Sequence, residues 1–241
     1  MDRKLTELVD RLKKAHGDRL ISVVLYGSAA GEDHFGKYSD LNILCVLSEV
    51  TPRELSQAEP IFRWWREQGS PAPLLMSEHE VQTSTDCFPI EFHDITLQHR
   101  LLYGKDVIST LHVDTSFYRA QVEHELRSKL LRLRQQGASQ LSHPAGLLAL
   151  CVDSVSTFCV LGRHALELDG KKAKSERRAV VRQLAELLQA DMRPFEILLD
   201  IREDIPGAGL GDLGDPGELF AQYLVCINRL ITFVDGLETR G

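Results

Sequence analysis

The chain has 241 residues, 43% hydrophobic and 26% charged, the balance of a folded protein that builds its own core without staples. Its 28 lysines and arginines stand against 35 aspartates and glutamates, a formal charge of −7. That balance excludes a globally basic, nucleic-acid-coating surface and leaves at most a local basic cleft. The five cysteines at 45, 87, 151, 159 and 226 are widely spaced and form no CxxC pair. They are expected to be reduced interior residues of a cytoplasmic chain, not disulfides or a zinc site.

The N-terminus, MDRKLTELVDRLKK, alternates charge and leucine where a secretory leader would be apolar, so export is not expected. Leu5, Val9, Leu12 and Ala15 recur at helical spacing, which predicts an amphipathic helix over 3–16 that ends near Gly17. Ile21 to Tyr26 is a compact β-branched run closed by Gly27, an interior strand, and Leu41 to Leu47 resumes the pattern. Between them, SAAGEDHFGKYS makes a tight connection. Pro52 opens a helix with Glu54 in its first turn and Leu55, Phe62 and Trp65 facing inward; Gly69 stops it, and Pro60 is a point where it kinks or divides. Trp64 and Trp65 are packing anchors, since no aromatic strand accompanies them to form a base-stacking platform. Pro73 to Met76 and Phe88 to Phe92 are the remaining strands expected of a mixed α/β first half.

From about residue 115 long leucine-bearing, charge-rich segments take over. Helices are expected at 117–136, 144–165, 175–190, 192–201 and 217–236, a helical bundle. The apolar run Gly146 to Gly162 is interrupted by Asp153 and is shorter than the roughly 20 residues of a membrane span, so it is read as a buried helix and no membrane partner is expected. REDIPGAGLGDLGDPGE, between the last two helices, is an acidic glycine-rich loop without a phosphate-binding fingerprint. The two domains are thus expected at 1–112 and 113–241.

The strongest local constellation is Gly27 and Ser28, an eleven-residue connection, then Asp40 and Asn42. Glycine after a strand permits a tight turn, and a short following helix aims Ser28 and free amides at phosphate oxygens. Positions 40 and 42 of a strand point the same way, which places a carboxylate and an amide oxygen on one rim. Glu91 completes a three-oxygen Mg²⁺ site if its strand lies alongside.

LYGSAAGEDHFGKYSDLNILCVL resembles the signature of the nucleotidyltransferase superfamily, in its minimal and aminoglycoside-modifying branches. The resemblance matches Gly27 and Ser28 to the family's turn, Asp40 to its first metal-binding acid and Glu91 in FPIEFHDI to its third, with Asp94 as a weaker match. LLYGKDV at 101–107 resembles the stretch that closes these catalytic domains, after which many members add a helical bundle. The resemblance implies an α/β N-terminal nucleotidyltransferase-like domain with a mixed central sheet, followed by an all-α helical bundle. It also implies Mg²⁺-dependent transfer of a nucleoside monophosphate from an NTP to a small-molecule or protein acceptor, with pyrophosphate leaving.

Asn42 departs from the pattern, because the family's second acid belongs there. A neutral amide ligand weakens a two-metal cluster, while a one-metal site of Asp40, Asn42 and Glu91 with the nucleotide's phosphates survives. Two readings follow: an active enzyme, or a nucleotide-binding regulator of the same fold. Lys37 and His34 in the connection are candidate phosphate contacts, and His93, two residues beyond Glu91 on the expected strand, would share its face while Asp94 turns away. The basic groups Arg127, Lys129, Arg132 and Arg134, and Lys171 to Arg182, are either phosphate contacts or solvated faces paired with nearby glutamates. Arg127 and Lys129 are the best phosphate-side candidates, and the leucine-lined helices also suit a homodimer.

Overall fold

The computed structural model describes residues 2–30, 41–113, 115–210 and 214–237. The chain divides into two compact units, Met1–Thr115 and Ser116–Gly241.

The first unit opens with helix α1 (Asp2–His16), whose Leu5, Leu8 and Leu12 are buried on one stripe. Strand β1 (Leu20–Tyr26) pairs antiparallel with β2 (Asn42–Leu47) on one side and with β4 (His99–Gly104) on the other. β3 (Leu74–Ser77) adds in parallel beyond β2, so the mixed sheet has the order β3-β2-β1-β4. Alternation sends Val23, Leu25, Ile43, Cys45 and Leu47 to one face, where α1 and α2 (Pro52–Glu67) cover them. Val24, Leu44 and Val46 face the other way onto Val81, Phe92, Ile95, Val107 and Ile108. Helices α3 (Glu78–Thr83) and α4 (Pro89–Leu97) belong to that second layer.

α2 is one continuous helix through Pro60, started by a capping box in which Thr51 and Glu54 satisfy each other's exposed amides. Its buried stripe is Glu54, Ala58, Ile61 and Trp65. Leu55, expected inside, is 53% exposed, because the stripe starts one position earlier, where Glu54 is held by the Thr51 cap and by Arg19 at 3.2 Å.

The segment expected as a strand, Phe88 to Phe92, is the start of α4. Pro89 stands at the first helical turn, where its fixed φ favours a helix and its missing N–H is harmless. Phe92 and Ile95 then bury at a spacing of three, a helical period that a five-residue window hides. The cysteines are all free, and Cys45, Cys151, Cys159 and Cys226 are buried as expected, but Cys87 is exposed just before α4.

The second unit consists of α5 (Tyr118–Ala138), α6 (Pro144–Leu168), α7 (Arg177–Leu188), α8 (Arg193–Arg202) and α9 (Pro216–Asp235). α6 packs against the other four. By length and composition it is apolar enough to cross a membrane; here its Leu147, Cys151, Val155, Phe158 and Cys159 line the bundle core. Tyr223 of α9 meets Phe158 and Phe195 edge-on at 5.9 and 4.9 Å, and its hydroxyl lies 3.1 Å from that of Ser154. The buried phenol thus keeps a polar partner.

Candidate functional site

β1 runs out at Tyr26 into Gly27, whose φ of +74° turns the chain into a single 3-10 turn, Gly27–Ala30. An L side chain rarely adopts that conformation. The Gly27 N–H donates to the carbonyl of Gln98 at 3.0 Å, which ties the turn to the head of β4. Asn42, the first residue of β2, lies on the other flank, and a Cβ on Gly27 would sit 3.3 Å from its Nδ2.

Tyr26 is paired with Asn42 on one side and His99 on the other. Directly paired residues point to the same face, so these three side chains share the face that α3 and α4 cover. The glycine turn and Asn42 are therefore brought together as the sequence implied.

Glu91, matched by the resemblance to the third acid, arrives differently. β4, the strand beside β1, reads HRLLYG and holds no carboxylate. Glu91 instead belongs to α4, which packs against the 3-10 turn. On a helix, positions three apart are neighbours, so Asp94 shares Glu91's side and His93 does not, the reverse of the expectation for a strand. Burial, then the carboxylates of Glu91 and Asp94, push the Tyr26 phenol above its ordinary pKa. Both acids thus act on the end of β1. His93 Nδ1 lies 4.0 Å from Asp94 Oδ1.

His99 has no motif signature, and only the alternation along β4 places it beside the turn. Its Nε2 lies 3.8 Å from Asp106 Oδ1. Asp106 accepts the amides of Ile108 and Ser109, both at 3.0 Å, and the Ser109 hydroxyl. These hydrogen bonds hold its carboxyl below the usual range.

Asp40, Lys37 and His34 lie outside the described residues, and of Ser28 the backbone alone is described, within the 3-10 turn. Arg127 and Lys129 stand on α5 of the second unit. Arg127 Nε is 2.6 Å from Glu123 and its NH2 3.5 Å from Asp235, while Lys129 is 3.6 Å from Glu125. Arg178 is held by Asp200 and Glu203, each at 2.7 Å.

No protein-family profile matches the sequence, and no curated protein matches it. Among solved structures, the chain is similar to spectinomycin adenyltransferase AAD(9) from Enterococcus faecialis, crystallised with ATP and spectinomycin. The TM-score is 0.61 at 15% identity, over 97% of this chain and 99% of that one. The likeness establishes the fold alone, an α/β unit followed by a helical unit.

Proposed function

We propose that this protein is an Mg²⁺-dependent nucleotidyltransferase that moves a nucleoside monophosphate from an NTP to a small-molecule or protein acceptor and releases pyrophosphate. The observation that carries the reading is the Gly27 turn with Asn42 against it, in a fold shared with an adenyltransferase. A small-molecule acceptor is favoured because that neighbour was crystallised with spectinomycin.

The oxygen donors at this end of the sheet, the Asn42 amide and the α4 carboxylates, are hard ligands of the kind Mg²⁺ takes. Asp40, Asn42 and Glu91 are the residues proposed to hold it, with Asp94 on the same side of α4 as Glu91. When bound, the ion neutralises charge on the phosphate oxygens. The triphosphate rests on the turn. Because the Gly27 N–H is committed to Gln98, that role falls to Ser28 and the amides after it, with Lys37 as a further phosphate contact. An acceptor oxygen then bonds to the α-phosphorus as the bond to pyrophosphate breaks.

Asn42 favours a second reading, a nucleotide-binding regulator of the same fold with weakened catalysis. Calorimetry with ATP, GTP, CTP and UTP, with and without Mg²⁺, on the wild type and Asp40→Ala tests the donor site: metal-strengthened binding lost in the variant supports it. Mg²⁺-dependent pyrophosphate release with an acceptor panel then selects the enzyme, and binding without release selects the regulator. The proposed setting is cytoplasmic, and the leucine-lined bundle is proposed to form a homodimer, which sedimentation tests.

A further inference from the structure

We infer that Tyr26 is a positioning residue of this donor site: its hydroxyl donates a hydrogen bond to the Glu91 carboxylate and holds it in place for Mg²⁺. The inference rests on the donor-site reading above and deepens it by naming what orients the ligand on α4.

The first observation is the placement of Tyr26. It is the last residue of β1, immediately before the Gly27 turn, and it pairs with Asn42 at the head of β2. Its ring is half-buried and packs on the layer that holds Phe92 and Ile95 of α4. A ring gripped in that way carries the hydroxyl at its tip to one place.

The second is where Glu91 stands. Glu91 and Ile95 are four residues apart on α4, so they share one side of the helix. Ile95 is buried in the layer on which Tyr26 packs, while Glu91, one turn earlier, is exposed at its rim. The rise in the Tyr26 pKa reports the same neighbour, since after burial its largest cause is Glu91, ahead of Asp94.

The third is hydrogen-bonding capacity. The Tyr26 hydroxyl makes no hydrogen bond among the described residues and is not sealed from solvent. A phenol is neutral at neutral pH, so its O–H is there to donate. Asp94 has His93 at 4.0 Å, whereas Glu91 has no ion-pair or hydrogen-bond partner among the described residues. A carboxylate that gives one oxygen to Mg²⁺ keeps the other as an acceptor, and a donor on that second oxygen fixes its orientation. An exposed glutamate left to itself would otherwise have to surrender its rotamer freedom to the ion.

The test is calorimetry of ATP on the full chain, with Mg²⁺ and in chelator, for the wild type, Tyr26→Phe, Glu91→Ala and the double variant. Tyr26→Phe keeps the packed ring and removes the hydroxyl alone. It is expected to weaken Mg²⁺-supported binding about five-fold, the size of one hydrogen bond to a charged group. Binding in chelator is expected to stay as in the wild type, and the loss is expected to vanish in the Glu91→Ala background, where the phenol has nothing to act through. A hydroxyl that merely supported the turn would cost the same with and without metal and in both backgrounds; if binding in chelator is too weak to measure, the comparison of backgrounds decides. Four results each overturn the inference and leave the donor site standing: Tyr26→Phe binding like the wild type, an equal loss with and without Mg²⁺, a full loss on top of Glu91→Ala, or no loss from Glu91→Ala itself. No Mg²⁺-supported binding by the wild type overturns the donor-site reading, and this inference falls with it.

Discussion

Gly104 lies so close to Ile21 that a Cβ on it would meet the Ile21 carbonyl oxygen at 2.0 Å. Its φ is +81°, and the amide of Lys105 that follows donates to the same oxygen at 3.0 Å. The glycine of LLYG is thus required twice, for a left-handed turn and for a close approach that ends β4 against β1. Gly104→Ala is expected to destabilise the protein by at least ~3 kcal/mol. Gly17→Ala is the control: its φ is +56°, but nothing lies within 4 Å of a Cβ there, so strain alone remains, about 1 kcal/mol. Urea unfolding of both variants measures the difference, and equal losses would show that the Ile21 contact is not what fixes this glycine.

Much of this fold was legible because its signals are long. The helices of the second unit are ten or more residues long, enough for the 3.6 period to emerge, and β1 and β2 are apolar runs bounded by turn residues. The element that carries Glu91 was not legible, because FPIEF is as good a strand as it is a helix start when read alone. What decides it is Pro89 at the first turn and Ile95 completing the buried stripe. The same ambiguity turned Asp94 away from Glu91, which a helical period pairs with it, and only the pairing of β4 with β1 brings His99 to the turn. Leu55 and Glu54 exchanged places for a third reason, since a capping box and an arginine can bury a glutamate that hydropathy places outside.

His16 closes α1 at 3% exposure, and neither ring nitrogen has a hydrogen-bond partner among the described residues. Burial first, then the nearby Arg19, lower its pKa against a smaller opposing effect of Glu54. The favourable field at a helix C-terminus is outweighed by desolvation. In the unfolded chain the ring titrates near its ordinary 6.5, so below that pH the unfolded state takes up a proton that the folded state resists. Stability is therefore expected to fall as pH drops through about 6.5 towards the lower folded value. His16→Leu removes two unsatisfied buried nitrogens and is expected to gain about 1 kcal/mol or more at neutral pH, with a shallower loss in acid. Denaturation at several pH values checks both, and a His16→Leu profile parallel to wild type would show that another group carries the acid loss.

The Glu91 and Asp94 pair predicts a measurable effect on Tyr26. Removing either carboxylate, by Glu91→Gln or Asp94→Asn, is expected to bring the phenol part of the way back to its usual pKa, because burial, the larger cause, remains. Ultraviolet phenolate titration, with Tyr26→Phe to identify the signal, reads this without any nucleotide. On the proposed donor site Glu91→Gln is also expected to weaken Mg²⁺-supported ATP binding by about ten-fold, the loss of one charged ligand interaction. Asp94→Asn is expected to have a smaller effect. A larger loss from Asp94→Asn would make that residue the third acid, and no loss from either would remove α4 from the metal site.

Asn42 is the residue on which enzyme and regulator divide. Its amide already packs 3.3 Å from where a Gly27 Cβ would be, so Asn42→Asp changes charge with almost no change in shape. A second carboxylate at the head of β2 adds to the acidic corner formed with Glu91 and Asp94. Without metal this repels both its neighbours and a triphosphate, and ATP binding in chelator is expected to weaken. With Mg²⁺ the same charge becomes a ligand, and metal-supported binding is expected to tighten by about ten-fold, the loss expected of Glu91→Gln in reverse. If Asn42 only weakens the proposed chemistry, pyrophosphate release rises with it. Tighter Mg²⁺ binding with no gain in release would mean that Asn42 is not the missing element and would favour the regulator; a gain in release would identify the amide as what holds the wild-type enzyme back. A variant indistinguishable from wild type with and without metal would show that position 42 does not reach the ion at all.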